Sequence, residues 1–345
     1  MAVVVDVVDG SGLTSRLRKD LGRVEARLVE LAQVGRADMA DAVGYQVGGS
    51  RRRLRPQLTL LTYYLTADDP AVTTDAVIDA ATATEMLHVG TVYHDDVIDQ
   101  APTRHGRESV NARWGAGMAI LAGDYVVARS FALLAALGQR EAVLMAGLAC
   151  ELAEGMVAEM LERFAPERTE ESVLSVISKK TAPLMSYSCG VGALQGCRHD
   201  ACTDAMLGFG HEIGLAYQLM DDVLDMTATR EQLGKPVGND IREGVYTVPL
   251  LRALRRDPGI RPLLRPGITD EEAAQILQRV RSSGAIDETM GLIGGHVDRA
   301  VCHLRSVEEC GRRPEVARFI EEFVRELLSP AALSRPPRPR PAAEQ

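Results

Sequence analysis

Two hexapeptides carry the same arrangement of acids: HDDVID at 94–99 and MDDVLD at 220–225. On an α-helix, residues four apart lie about 40° from each other around the axis and adjacent residues about 100° apart. Asp95, Asp96 and Asp99 therefore project from one side, and Asp221, Asp222 and Asp225 do the same. The neighbours are apolar: LHVGTVYH runs into the first cluster, LAYQLM into the second, and Val97-Ile98 and Val223-Leu224 lie inside them. Three carboxylates on a mostly buried helix repel one another and lose hydration, so they need cations or raised pKa values. An all-oxygen ligand set suits Mg²⁺, which keeps waters and is shared between carboxylates and substrate phosphates. No His or Cys completes a zinc pattern. Two such clusters facing each other would hold several divalent ions and one polyphosphate-like group.

Anions held by metals also need fixed positive donors. These occur in SRRRLRP at 50–56, TRHGRESVN at 103–111, KKTAPL at 179–184 and GKP at 234–236. The forked donors of Arg fit diphosphate oxygens. His88 lies two turns before Asp95 on the same helix face, where it can join the pocket or serve as an ordinary core histidine. After the second cluster, 226–244 breaks the helical pattern with Gly234, Pro236, Gly238 and Gly244 and reads as an active-site lid. Its useful side chains are Lys235, for diphosphate, and Asp240, for metal or for the lysine.

The elements that must position these groups are helical. Leu17, Leu21, Val24, Leu28 and Leu31 recur at three- and four-residue steps within 13–34. Similar stripes predict helices over 37–47, 53–66, 71–98, 108–136, 139–163, 169–193, 201–226, 245–255, 269–281, 284–305 and 313–328. No strand alternation, hairpin signal or solenoid repeat competes. The expected organisation is a flexible arm over 1–12, one helical domain over 13–328, and a disordered Pro- and Arg-rich tail over 329–345.

Composition agrees. The 345 residues are 46% hydrophobic but only 4% aromatic, which suits helices over sheets. A net charge of −9 argues against nucleic acid or an anionic membrane surface as the main partner. Six cysteines (Cys150, Cys189, Cys197, Cys202, Cys302, Cys310) show no CxxC pair, so reduced thiols in a cytoplasmic protein are expected. The start, MAVVVDVVDGSG, lacks a basic region and has Asp6 and Asp9 in its apolar run, unlike a signal peptide. No apolar run reaches the roughly 20 residues of a membrane span.

With the two DDxxD motifs, the intervening KT and YQ, and GKPxGxD followed by TxP on the page, the chain resembles the trans-isoprenyl (polyprenyl) diphosphate synthases from about Leu13 to Leu328. The resemblance implies an all-α, single-domain isoprenoid-synthase bundle around a deep central cavity, and a homodimer. It implies Mg²⁺-dependent condensation of isopentenyl diphosphate onto an allylic diphosphate. It assigns Asp95, Asp96, Asp99, Asp221, Asp222 and Asp225 to a site of three Mg²⁺ ions bridged by the allylic diphosphate. Arg104, followed by His105, falls on the allylic diphosphate; Lys180, Thr181, Gln218 and Lys235 surround the departing diphosphate and the allylic cation. Arg52, Arg53 and His88 fall where the family holds isopentenyl diphosphate. No protein nucleophile is needed: preorganised charge and exclusion of water from a carbocation are the protein's contribution.

The chain departs from the family pattern in four places. GGKRxRP is SRRRLRP, so Ser50-Arg51 replace two glycines and Arg52 the lysine. The second arginine of RRG is His105, the lysine of EGKxT is Val245, and the glutamine of AEGxxxQ is Glu159. These changes spare the allylic metal site and thin out the second substrate's site. A slower synthase, a non-catalytic subunit of a heteromeric synthase and a class I terpene-cyclase-like enzyme are the readings this leaves open. In the family, residues just before the first cluster form part of the floor of the chain-growth cavity. Here these are Gly90 and Thr91, both small, with Tyr93 on another side of the helix, which implies a product of twenty or more carbons. Phe131, deeper on a neighbouring helix, is a candidate stop.

Overall fold

The structure is a computed structural model that describes residues 12–33, 36–48, 53–69, 72–104, 107–197, 199–229, 237–308 and 313–329. The candidate residues Arg52, His105 and Lys235, most of the arm and all of the tail past Ser329 lie outside the described residues.

The amphipathic stripes become helices largely where the spacing places them. α1 (Leu13–Ala32) buries Leu17, Leu21, Val24, Leu28 and Leu31, as expected. α2 (Ala37–Val47) and α3 (Leu54–Thr66) follow, then α4 (Asp75–Ile98), whose first turn is capped by the Thr74 side chain. α5 (Val110–Trp114), α6 (Ala116–Leu137), α7 (Gln139–Leu161), α8 (Glu170–Lys180), α9 (Ala182–Gly196) and α10 (Asp200–Thr227) come next. The rest is α11 (Asn239–Glu243), α12 (Val248–Arg256), a 3₁₀ turn (Pro258–Leu263), α13 (Asp270–Ser282), α14 (Ala285–Glu308) and α15 (Pro314–Leu327).

Three differences from the sequence reading have local causes. The stretch 108–136 divides at Gly115 into α5 and α6. The stretch 169–193 divides at Thr181, because Pro183 has no N–H to return to the Lys179 carbonyl. A two-residue antiparallel ladder, β1 (Thr103–Arg104) with β2 (Arg107–Glu108), is too short to leave a period-2 signature.

α3 and α9 are buried almost all round and form the middle of the molecule. α9 packs between α3 and α10, α4 packs on α1, α3, α6 and α9, and α14 covers the far side of α10. Most of the core is one cluster spanning these helices. A second, separate apolar cluster fills the seam between α4, α6, α7 and α9, with Ala80, Ala83 and Leu87 facing Leu134, Leu148 and Tyr187. One helix, α6, is by length and composition alone apolar enough to cross a bilayer, and a single such helix makes no clear membrane span. It carries Asp124 and Arg129 and leaves Ile120 and Leu121 exposed.

Candidate active site

Both acidic clusters sit at the C-terminal ends of long helices. Asp95 and Asp96 occupy the last turn of α4, with Asp99 as its C-cap, and Asp221, Asp222 and Asp225 lie in the last two turns of α10. A helix C-terminus carries the negative end of the backbone dipole, so each carboxylate meets like charge and an unfavourable dipole together. Asp96, Asp222 and Asp225 are buried. Burial holds the Asp95 and Asp96 carboxyls above the ordinary carboxylate range, against the pull of Lys180 and Arg104. Asp222 is pushed up to about 8 by burial first, and then by Asp221, Asp225 and Glu159.

Cations answer these charges one by one. Arg104, on the short hairpin, places Nε 2.8 Å and Nη2 2.6 Å from Asp96 Oδ1. Arg163, just past α7, reaches Asp99 with Nη2. Lys180, the last residue of α8, donates to Glu159 Oε1 at 2.8 Å and lies within electrostatic reach of Asp95 and Asp99. α8 can come this close to α7 because residue 155 is glycine: a Cβ there would stand 2.8 Å from the Lys180 backbone nitrogen. The break after Lys180 then turns Thr181 toward α10. Its hydroxyl donates to Gln218 Oε1 at 2.9 Å, and Gln218 Nε2 donates to Asp222 Oδ1 at 3.0 Å. The KT pair and the YQ glutamine thus form one bridge to the second cluster.

The part of the lid that is described folds back on that cluster. Gly238 N–H donates to the Asp225 carbonyl at 2.8 Å, and Asp240 N–H donates to Asp225 Oδ2 at 3.3 Å. Asp240 therefore stands beside the second cluster. His88 lies two turns before Asp95 on α4, and Gly90 packs against α6, where Val127 Cγ2 would be 2.5 Å from an added Cβ. Thr91 donates its hydroxyl to the His88 carbonyl at 2.8 Å.

Arg53 is a correction. It was expected on isopentenyl diphosphate, but its guanidinium is buried and engaged by carboxylates. Nε and Nη2 donate to the two oxygens of Glu25 at 2.7 and 3.0 Å, Nη1 donates to Glu85 Oε1 at 2.9 Å, and Nη2 also reaches the Val47 carbonyl at 2.7 Å. Arg53 is the N-cap of α3 with a left-handed backbone, φ 47°, and its side chain ties the start of that helix to α1 and α4. The residue that sequence reasoning passed over is Arg55, in the first turn of α3. No hydrogen bond among the described residues engages its guanidinium, its Nε is buried, and burial lowers its pKa despite nearby Glu85. The missed signal is positional: Arg55 is the second residue of α3, whereas Arg53 is its N-cap.

Would divalent ions fit? The donors are all oxygen, Asp95 Oδ1 is buried with no hydrogen-bond partner among the described residues, and Asp222 is pushed up to about 8 by burial and by neighbouring carboxylates whose charge a metal would offset. The residues fit Mg²⁺. Among the described residues, no three carboxylates or imidazoles close on one point, so phosphate oxygens and water would have to complete each ion's shell.

Residues 37–281 match the family described as polyprenyl synthetase. The chain belongs to the polyprenyl synthetase family. It is 31% identical over 290 residues to the heptaprenyl diphosphate synthase component 2 of Geobacillus stearothermophilus, across 83% of this chain and 89% of that one. It is 30% identical over 331 residues to the nonaprenyl diphosphate synthase of Mycobacterium tuberculosis, across 94% of this chain and 98% of that one. A polyprenyl synthase structure from Caulobacter crescentus, complexed with calcium and isoprenyl diphosphate, superposes with a TM-score of 0.84 at 27% identity, covering 94% of this chain and 97% of that one. As a polyprenyl synthetase the chain is a prenyltransferase of the polyprenyl and geranylgeranyl diphosphate synthase type, with the all-α fold of that family.

Proposed function

We propose that this polyprenyl synthetase condenses isopentenyl diphosphate with an allylic diphosphate, in a Mg²⁺-dependent reaction, to give a trans-polyprenyl diphosphate of twenty or more carbons. The observation that carries the reading is the juxtaposition of the α4 and α10 carboxylates with Lys180, Arg104 and the Thr181–Gln218–Asp222 bridge. Asp95, Asp96 and Asp99 on one side, and Asp221, Asp222 and Asp225 on the other, would hold three Mg²⁺ ions, whose bound charge draws electrons from the diphosphate leaving group. Arg104 and Lys180, with His105, Lys235 and Asp240 in the roles their motifs suggest, hold that diphosphate as the allylic C–O bond breaks. Gln218 is fixed at both ends of its amide and keeps a carbonyl dipole beside the developing cation. Arg55, with Arg52 and His88, positions isopentenyl diphosphate, whose double bond forms the new C–C bond. The proton lost from the adduct passes to the departing diphosphate.

The product length is supported by small residues on α4. Ala80, Ala83, Gly90 and Thr91 border the apolar seam toward α6, α7 and α9, which leads away from the carboxylates and keeps water from the cation. Relatives named for heptaprenyl and nonaprenyl products agree with that range. A homodimer is supported by the surface of α6 and α7: Ile120 and Leu121 are exposed, as are Val143, Val157, Met160 and Leu161, the last at 80%. Val143, Cys150 and Val157 follow one another at heptad spacing, a stripe suited to a second helix pair. The relative named as a component 2 favours a second reading, in which a different subunit completes the synthase.

The test is incubation of the purified chain with farnesyl diphosphate and Mg²⁺, with and without labelled isopentenyl diphosphate, followed by chromatography of the products. Elongated diphosphates are expected only with the second substrate. Hydrocarbon formed without it would overturn the reading in favour of a cyclase, and turnover only after adding a second protein would favour the heteromeric arrangement. Sedimentation should give twice 37.3 kDa, and Leu161→Asp should give the monomer.

A further inference from the structure

The connection between α7 and α8 brings two guanidinium groups to the carboxylate cleft that neither the motifs nor the family pattern assigns. Arg163 and Arg168 lie in LERFAPERT, which joins the stretches predicted as helices over 139–163 and 169–193. Its path is fixed by Phe164, which adopts the left-handed region at φ 56°, an uncommon conformation for a bulky residue. Phe164 N–H donates to the Gly244 carbonyl at 2.9 Å, and its ring lies against Gly244, where a Cβ would come within 2.6 Å. Gly244 ends α11, and the start of α11 is hydrogen-bonded to Asp225. The connection is therefore tied to the second acidic cluster, while Arg163 reaches Asp99 of the first.

Neither guanidinium is saturated by these contacts. Arg163 Nε is buried with no hydrogen-bond partner among the described residues. The Arg168 side chain is 4% exposed; Nη2 stands 2.8 Å from Glu162 Oε2, and Nε has no hydrogen-bond partner among the described residues. Glu159 lies within electrostatic reach of both, and Asp222 within reach of Arg168. Buried donors left open beside carboxylates that would bind metal are suited to a second anion carried by that metal. The residue after Gly244 is Val245, where the motif would have a lysine; the Phe164–Gly244 bond brings Arg163 next to that position.

We infer that Arg163 and Arg168 are further substrate-binding residues, which hold the diphosphate group of the allylic substrate. Once the ions occupy the Asp99 side, the Arg163 fork is released from the carboxylate and closes on phosphate oxygens. Arg168, braced by Glu162, does the same from the α10 side. This rests on the proposed reading that the cleft binds a metal-bridged diphosphate.

The test is calorimetric titration of inorganic diphosphate into the full-length protein at saturating Mg²⁺, with Mg²⁺ alone as a separate titration. Arg163→Gln should weaken inorganic diphosphate binding at least about tenfold, as expected for a charge-assisted hydrogen bond, with an unchanged melting temperature. Arg163→Lys should recover part of the loss, and Arg168→Lys should show an intermediate one. In turnover the KM for the allylic diphosphate should rise while that for isopentenyl diphosphate stays constant. Unchanged diphosphate affinity in Arg163→Gln overturns the inference. So does tighter Mg²⁺ binding with unchanged diphosphate affinity, which would make Arg163 only a stand-in for metal on Asp99. Failure of the unaltered protein to bind inorganic diphosphate with Mg²⁺ would instead overturn the diphosphate reading, and this inference with it.

Discussion

Lys180 donates to Glu159 Oε1 at 2.8 Å, and Glu159 lies within electrostatic reach of Asp95 on one acidic helix end and Asp222 on the other. A carboxylate thus stands in the middle of the cleft, at a position where the family motif has a neutral glutamine. It raises both aspartates and occupies the Lys180 ammonium group that, in the proposed reaction, would hold the leaving diphosphate. Glu159→Gln should leave Lys180 facing Asp95 and Asp99 and lower the KM for the allylic diphosphate by about three- to tenfold, the equivalent of roughly 0.7–1.4 kcal/mol. Steady-state kinetics at saturating Mg²⁺ checks this. A higher KM would mean that Glu159 holds Lys180 in its working orientation.

Asp222 gives the cleft a pH dependence. Its carboxyl is pushed to about 8 by burial and by Asp221, Asp225 and Glu159, so at neutral pH the metal-free native state keeps a proton that the unfolded chain has lost. Its stabilising contribution is complete below about pH 4 and is lost as the pH rises through about 8. Asp95 and Asp96 are shifted in the same direction by burial. The melting temperature of metal-free protein should therefore fall between pH 6 and pH 8.5. Mg²⁺ needs the carboxylate, so loading Mg²⁺ and inorganic diphosphate at pH 7 should release about one proton, and Asp222→Asn should abolish this release. Calorimetry in buffers of different ionisation enthalpy measures it; no proton release by the unaltered protein would contradict the shift.

The two arginines at the start of α3 should separate by what they break. Arg53→Met leaves Glu85 buried without its cation, since both side chains are 1% exposed, and should cost about 3–5 kcal/mol of stability. Arg55→Gln removes a guanidinium engaged by no hydrogen bond among the described residues, so it should not lower the melting temperature. It should raise the KM for isopentenyl diphosphate about ten- to a hundredfold and leave that for the allylic substrate alone. Thermal denaturation paired with kinetics distinguishes the two; the reverse assignment would show as a stable but inactive Arg53→Met.

These cases mark where the sequence was legible. The acidic clusters and most helix ranges follow from spacing along a helix, because a 3.6-residue period fixes which side chains share a face, whereas the KT and YQ pairs stood out through the family resemblance. α2 spans the residues that its stripe predicts, and Thr181, Gln218 and Asp222 meet because their helices pack on the α9–α10 side. What spacing does not carry is direction at irregular backbone. The left-handed turn at Arg53 exchanges the roles of two arginines in one motif, and the one at Phe164 directs Arg163 into the cleft from a segment with no periodicity. The β1–β2 ladder has two residues per strand, fewer than any alternation needs. The apolar outer face of α6 reads from sequence like any core helix, because periodicity does not show which apolar face is left uncovered.

Product length tests the path of the growing chain. Gly90 lies where α4 meets α6, and an added Cβ would stand 2.5 Å from Val127 Cγ2 and 3.3 Å from the Gly123 carbonyl. Gly90→Phe must therefore displace Val127 and should cost about 1–3 kcal/mol of stability as well as shorten the product. Ala83 is buried in the apolar seam, nearer the start of α4 and about 18 Å from Asp95 at 1.5 Å of rise per residue. Ala83→Phe should stop elongation later. The expected order of product length is Gly90→Phe, then Ala83→Phe, then the unaltered chain, read by chromatography of the dephosphorylated products. The thermal cost of each substitution, measured beside it, separates a blocked path from a damaged fold. An Ala83→Phe enzyme that folds and still makes the full-length product would place the growing chain outside the α4–α6–α7–α9 seam.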